Sequence, residues 1–217
     1  MVMLKAVEKL RLQFQKVSGR SITNKKERYD YFRLSNPIFR YVHKLLKDKK
    51  GIDLGCSKGD YLTILGQKYI GVDISYQDLM IAKQRGCIVL MADLNLGLPF
   101  KKRSVEAIFM SHVLEHIENP VALLREANRV LKEEGILVVG LPIEGGLYTL
   151  KNDYFGCENN PRGHLYSFSV RNLEVLLRRT GFGDINALYF QIVKIRWRPS
   201  LARLHDLLQR FPCKVLL

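Results

Sequence analysis

An α/β fold around a parallel sheet is what the sequence predicts, and three observations predict it. Short apolar runs alternate with segments whose apolar residues recur every three or four positions. A Gly-rich turn, Gly55-Cys56-Ser57-Lys58-Gly59, follows the first of these runs. Three successive runs then carry an aspartate at or near their ends: Asp53, Asp73 and Asp93. Alternating strands and helices need crossover connections, which make neighbouring strands parallel and collect their C-terminal ends on one edge of the sheet.

The elements follow in order. From Leu4 through Val7, Leu10, Phe14 and Val17 the spacing is helical, with Lys5, Lys9, Arg11 and Lys16 between the apolar positions, giving an amphipathic basic helix. Tyr29–Phe32 is an aromatic cluster ahead of a helix that Pro37 can open, with Ile38, Tyr41, Val42, Leu45 and Leu46 on one face. After the strand at residues 50–54 and its turn, a helix should run to about Leu65. Gln67–Asp73 reads as the second strand, Tyr76–Arg85 as a helix, Cys87–Asp93 as a third, buried strand, and Ser104–Met110 as the fourth. A helix over Val121–Leu131 carries Leu123, Leu124, Ala127 and Val130. Lys132–Gly135 is expected to turn into the fifth strand, Ile136–Pro142. Leu173, Leu176 and Leu177 mark a further helix ending near Thr180-Gly181. Phe182–Tyr189 and Gln191–Arg198 read as two last strands, and Ser200 can cap a closing helix bearing Leu201, Leu204, Leu207, Leu208 and Phe211.

The turn limits the ligand. Its glycines permit positive φ and a close approach to backbone, and the chain that follows offers unpaired N–H groups. Gly55-x-x-x-Gly59 lacks the dinucleotide spacing G-x-G-x-x-G, and no Gly-Lys-Ser/Thr follows, so a pyrophosphate ligand is disfavoured. Asp73, closing the strand expected beside the turn, is placed to accept hydrogen bonds from both hydroxyls of a ribose; it could also cap the next helix through Asp73-Ile74-Ser75. Three carboxylates along one sheet edge suit a hydroxyl-rich, amine-bearing ligand better than bare phosphate. The mostly apolar loop Leu94–Phe100 can cover a flat ring.

These stretches resemble the class I S-adenosylmethionine-dependent methyltransferases. Asp53-Leu54-Gly55-Cys56-Ser57-Lys58-Gly59 looks like their first motif, Asp-x-Gly-x-Gly-x-Gly, with Ser57 where the middle glycine is usual. Gly71-Val72-Asp73-Ile74-Ser75 and Ala92-Asp93-Leu94 look like the second and third motifs. The resemblance covers about residues 48–190 and implies a Rossmann-like sheet of seven strands, order 3-2-1-4-5-7-6, with the seventh antiparallel and helices on both faces. It implies S-adenosyl-L-methionine as cofactor, held by Asp53, Gly55, Cys56, Ser57, Gly59, Asp73, Ile74, Asp93, Leu94 and Ser111, with Asp73 on the ribose and Asp93 on the adenine amine.

Ser111-His112-Val113-Leu114-Glu115-His116-Ile117-Glu118-Asn119-Pro120 resembles the segment after strand four in the large subfamily of quinone-biosynthetic and small-molecule methyltransferases. In that subfamily strand four ends over the cofactor's methyl group. His112, Glu115 and His116 are accordingly candidates for acid–base work or substrate orientation, joined by His164 of a His-aromatic-Ser segment. His112-x-x-x-His116 with Glu115 also invites a metal reading, but the spacing supplies no third ligand, and no metal is expected. The polar stretch 143–165 is too long for an idle connection and is expected to shape a substrate pocket.

Composition sets the remaining bounds. The length suits one domain, 48–199, preceded by a basic helical extension, 1–47, and followed by an amphipathic helix and tail, 200–217. Four scattered cysteines without C-x-x-C pairing indicate neither a zinc site nor a disulfide framework. With no signal-type apolar run legible, a cytoplasmic protein is expected, peripheral to a membrane at most. Lys and Arg outnumber Asp and Glu by 14 to 4 in residues 1–50 and by 11 to 5 in residues 151–217, against 10 to 12 between them. Basic flanks suggest an anionic partner, acidic membrane or RNA, although the charge can also simply solvate helix faces. The sequence therefore points to methyl transfer onto a small-molecule acceptor, anionic or lipid-like. RNA methylation or a non-catalytic cofactor-binding, RNA-associated module are the alternatives.

Overall fold

The computed structural model describes residues 37–142, 163–189 and 215–216. The basic helix at Leu4–Val17, the aromatic cluster, most of the 143–165 stretch, the strand at 191–198 and the closing helix lie outside the described residues. Of the unit Met1–Tyr41, only the start of helix α1 (Pro37–Leu46) is described; the second unit is Val42–Leu217.

Among the described residues five parallel strands run side by side in the order β3-β2-β1-β4-β5: β1 (Gly51–Leu54), β2 (Tyr69–Asp73), β3 (Ile88–Met91), β4 (Val105–Ser111) and β5 (Leu131–Leu141). The chain reverses its winding direction between β1 and β4, and that switch point is where an open α/β sheet parts its connections and leaves a crevice. The crossovers carry α2 (Leu62–Leu65), α3 (Tyr76–Gln84) and α4 (Pro120–Val130), and α5 (Val170–Arg179) follows β5. Ser75, Asn119 and Ser169 each accept a hydrogen bond from a backbone N–H three residues on, capping α3, α4 and α5.

Alternation on the central strands decides what each face holds. Ile52 and Leu54, with Ile108 and Met110, join Leu123, Leu124, Ala127 and Val130 of α4 and Leu173 and Leu177 of α5 in one buried cluster. Each such side chain removed from water contributes about 1.5–3 kcal/mol before entropy is counted. Asp53 and Phe109, paired across β1 and β4, have the opposite parity, and Tyr61 packs on Phe109 with ring centroids 4.4 Å apart and planes tilted by 58°. Tyr69 is buried and donates its hydroxyl to the Leu46 carbonyl at 3.0 Å, tying the end of α1 to β2.

Three expectations are corrected. The strand read as buried from Cys87 to Asp93 is shorter, Ile88–Met91, and Ile88, Leu90 and Met91 are exposed, because β3 pairs with β2 alone among the described strands and forms an edge. The helix after the glycine turn is a single turn, Leu62–Leu65, since residues 57–61 are spent on the turn itself. The turn expected at Lys132–Gly135 is a bulge inside β5: Leu131 pairs with Val105, Ile136 with Ala107, and the polar residues between them loop out into solvent.

Candidate functional site

The glycine turn begins where β1 ends. Gly55 has φ +69°, and a Cβ there would strike the side chain of Val113. Its N–H and that of Cys56 both reach the Val72 carbonyl, at 2.8 and 3.1 Å. Ser57, in the place of the middle glycine, keeps the turn by adopting φ +45° itself. A left-handed conformation costs a non-glycine residue roughly 1–2 kcal/mol. Two hydrogen bonds offset it: Ser57 N to Asp73 Oδ2 at 2.8 Å and Ser57 Oγ to Asp78 Oδ2 at 2.7 Å. Arg85 braces the far side, donating to the Lys58 carbonyl and to Asp60 Oδ1.

Asp73 is half-buried at the tip of β2. Its Oδ1 accepts from Ser75 N and its Oδ2 from Ser57 N, both at 2.8 Å. The helix cap itself is Ser75, not Asp73. Each carboxylate oxygen keeps further acceptor capacity, so Asp73 can fix the turn and still bind two hydroxyls. Asp93 holds Asn95 by its N–H at 2.9 Å and its Nδ2 at 3.1 Å, while Asn95 Oδ1 accepts from Glu118 N at 3.0 Å. Asn95 thereby joins the rim after β3 to the segment after β4. Among the expected contact residues, Leu94 is buried in the core cluster and Cys56 is buried against Gly71, where an added Cβ would meet its sulfur at 2.6 Å; only their backbones can serve a ligand. Burial, with Asp53 and Asp73 nearby, pushes the Cys56 thiol far up, so it is no nucleophile. Ile74 is exposed beside Asp73, and Leu96, at 88 % exposure, is the apolar surface that the loop offers.

Asp53 tests whether these residues fit a cationic, amine-bearing cofactor. Its side chain is 2 % exposed and Oδ2 has no hydrogen-bond partner among the described residues. Burial, then Asp73 and Asp60, holds its carboxyl well above the usual range. A buried carboxyl oxygen without a donor is a costly arrangement unless a donor arrives. Together with the positive-φ turn and the paired oxygens of Asp73, this orphaned oxygen fits S-adenosylmethionine, whose ammonium and sulfonium are positive.

At the end of β4, Ser111 bonds the hydroxyl of Tyr61, whose pKa burial pushes up to about 12 against the opposing effect of that bond. His112 follows with φ +57°, an uncommon backbone state of the kind that clusters at functional sites. Its Nδ1 stands 3.2 Å from Oε1 of Glu115, near enough for charge attraction, yet neither Glu115 oxygen accepts a hydrogen bond among the described residues, although the residue is 1 % exposed. The Glu115 carbonyl accepts from Leu165 N at 2.7 Å and Tyr166 N at 3.3 Å, and Tyr166 Oη donates to the Glu118 carbonyl at 2.8 Å. Those bonds bring His164 to His116, ring centroids 4.8 Å apart and nearly perpendicular. The four candidates His112, Glu115, His116 and His164 are thus gathered at one place. The third ligand-type side chain that sequence spacing does not supply, His164, is supplied in space.

Tyr61 and Asn95 escape the sequence reading. Asp-x-Asn at 93–95 is a local turn signal that could have flagged Asn95; nothing in the sequence links Tyr61 to Ser111, 50 residues on.

Residues 52–139 match the family described as methyltransferase domain. An uncharacterized protein of Methanocaldococcus jannaschii is 37 % identical over 146 residues, 64 % of this chain and 66 % of that protein. A malonyl-[acyl-carrier protein] O-methyltransferase of Marinomonas is 28 % identical over 66 % of this chain and 55 % of its own length. The chain thus spans roughly half to two thirds of these two relatives. Among solved structures, a Thermotoga maritima protein described as a methyltransferase, possible histamine N-methyltransferase, superposes with TM-score 0.60 at 24 % identity, covering 76 % of this chain and 86 % of that one. A Haloferax volcanii putative methyltransferase, solved in complex with the Trm112 methyltransferase activator, gives TM-score 0.65 at 16 % identity over 89 % and 95 %. These likenesses share the fold. The match across β1 to β5 makes residues 52–139 a methyltransferase domain, and the solved structures show that its Rossmann-like fold is that of S-adenosylmethionine-dependent methyltransferases.

Proposed function

We propose that the chain transfers a methyl group from S-adenosylmethionine to a small acceptor bearing an oxygen, nitrogen or sulfur nucleophile, at the rim between β1 and β4. The observation that carries this is the orphaned Oδ2 of buried Asp53 beside a turn held by Asp73. When bound, the cofactor supplies an already activated methyl group on a sulfonium. The protein's work is then to bind, align and exclude water, and such alignment can supply about 7–11 kcal/mol. Asp53 accepts from the ammonium, Asp73 from the ribose hydroxyls, and Asp93 from the adenine amine. Ile74 and Leu96 cover apolar faces. His116 or His164 takes the acceptor's proton, with Glu115 and His112 holding the pair in place.

The acceptor we favour is anionic or lipid-like and small, of the class that the subfamily resemblance of residues 111–120 implies; a relative named for an O-methyl transfer to a carrier-bound malonyl group supports a carboxylate. The sheet order 3-2-1-4-5-7-6 belongs to the same proposal. Its support is antiparallel pairing of Val215–Leu216 with Gly140–Leu141 and with Leu188–Tyr189. The basic segment 1–47, the segment 143–165 and the C-terminal segment 200–217 are assigned to acceptor recruitment. No helix among the described residues is long and apolar enough to cross a membrane.

The test is turnover: purified chain with methyl-labelled S-adenosylmethionine and panels of carboxylate, phenol, amine and thiol acceptors. Labelled product with one acceptor class supports the reading. Absence of label in every panel and in whole-cell extract, from a chain that binds the cofactor, would leave only a binding module.

A further inference from the structure

We infer that Glu115, His116 and His164 form a binding site for one divalent transition-metal ion of the zinc type. One ligand-type atom from each lies within 4.8 Å of the other two. The second observation is the state of Glu115. It is 1 % exposed, both carboxylate oxygens lack hydrogen-bond partners among the described residues, and the cation-capable group beside it is His112, 3.2 Å from Oε1. A carboxylate taken out of water needs compensating charge or donors, and a cation seated against it supplies that charge.

The site is built rather than incidental. Glu115 and His116 sit on one short turn, Leu114–His116, fixed to the end of β4, and the bonds from Leu165 N and Tyr166 N to the Glu115 carbonyl hold His164 opposite. The bond from Tyr166 Oη to the Glu118 carbonyl is a third tie between the two segments. His112, by its contact with Oε1, can orient the carboxylate from behind, as an outer partner does for a metal ligand. One carboxylate oxygen and two imidazole nitrogens suit zinc, cobalt, nickel or iron(II), and calcium or magnesium poorly. Bonds of about 2.1 Å in a tetrahedral set would bring the donors to about 3.4 Å from one another. Both imidazoles are exposed, so side-chain rotation closes the remaining distance. With the ion bound both imidazole lone pairs are taken, so proton removal by His116 or His164 belongs to the ion-free site; three protein donors then leave a position for water or for an oxygen of the acceptor. That last role rests on the methyltransferase reading; the ion site itself does not.

The experiment uses the full chain, stripped with a chelator and titrated with zinc against a chromogenic competitor, then with cobalt(II) followed by its visible absorption. Wild type is expected to bind one equivalent at micromolar affinity or tighter. His164→Ala, on an exposed segment where folding is not at stake, and the isosteric Glu115→Gln should each weaken binding by about 100-fold or more. His43→Ala, away from the cluster, should bind as wild type does. S-adenosylmethionine affinity, measured in parallel, should be unchanged in His164→Ala, so failure of the ion site and failure of the cofactor reading are told apart. Wild type that binds no stoichiometric zinc, or zinc affinity that survives both Glu115→Gln and His164→Ala, overturns the inference.

Discussion

The backbone N–H of Ser57 donates to Asp73 Oδ2 at 2.8 Å, so the residue replacing a glycine in the turn is held by the carboxylate expected to bind ribose. The departure from the usual motif and the acid proposed to bind ribose are one structural unit. Ser57→Gly removes the left-handed strain, roughly 1–2 kcal/mol, but also the bond from Oγ to Asp78, worth about 1 kcal/mol. Its stability should therefore stay within about 1 kcal/mol of wild type. Ser57→Val keeps φ +45° with a branched side chain and loses the bond, so it should cost about 2–3 kcal/mol in urea unfolding. Equal midpoints for the two variants would contradict the strain assignment.

Gly55→Ala meets two obstacles, φ +69° and the side chain of Val113. About 2 kcal/mol of destabilisation is expected. Combining it with Val113→Ala removes one obstacle, so a double-mutant cycle should give a favourable coupling on the order of 1 kcal/mol. Strict additivity would mean that the turn relaxes away from Val113.

For Asp53 the sign of the pH dependence follows from burial. Its folded carboxyl titrates well above the ordinary aspartate value of 3.8, so above that value the folded state binds more protons than the unfolded, and stability falls as pH rises. Asp53→Asn abolishes this dependence. Without cofactor, the thermal midpoint of the variant should gain on wild type steadily as pH is raised from about 4, the unfolded value, towards the folded one. A constant difference across that window would show that Asp53 is not carrying the burial penalty. With cofactor the order should reverse, since a bond to a charged group is worth about 1.5–3 kcal/mol.

His116→Asn and His164→Asn should each lower turnover by about 10²-fold or more, the low end of general acid–base catalysis, with cofactor affinity nearly intact. Full activity in both variants would confine the pair to the ion site or to packing.

What the sequence made legible, and what it did not, divides on physical lines. Gly55, Asp53, Asp73 and Asp93 could be read because they lie on short strands and turns whose chemistry is local: a positive φ, a strand tip, an Asx turn. The caps Ser75, Asn119 and Ser169 are local in the same way. The exposure of Met91 was not legible, since whether a strand is central or an edge depends on which partners the sheet gives it. Nor was the bulge at Lys132–Gly135, where polar residues look like a turn but the pairing of β4 with β5 continues through them. The approach of His164 to Glu115 spans 49 residues and depends on two backbone bonds that no side-chain pattern records.

The measurement that tests the central claim most directly is calorimetric titration of S-adenosylmethionine into the full chain and its Asp73→Ala variant. The account predicts one molecule bound per chain at micromolar affinity by wild type, about −8 kcal/mol. The folded variant should bind about 10- to 100-fold more weakly, as the loss of a charged acceptor for two hydroxyls requires. No binding by wild type, or an unchanged dissociation constant in the variant, would contradict it.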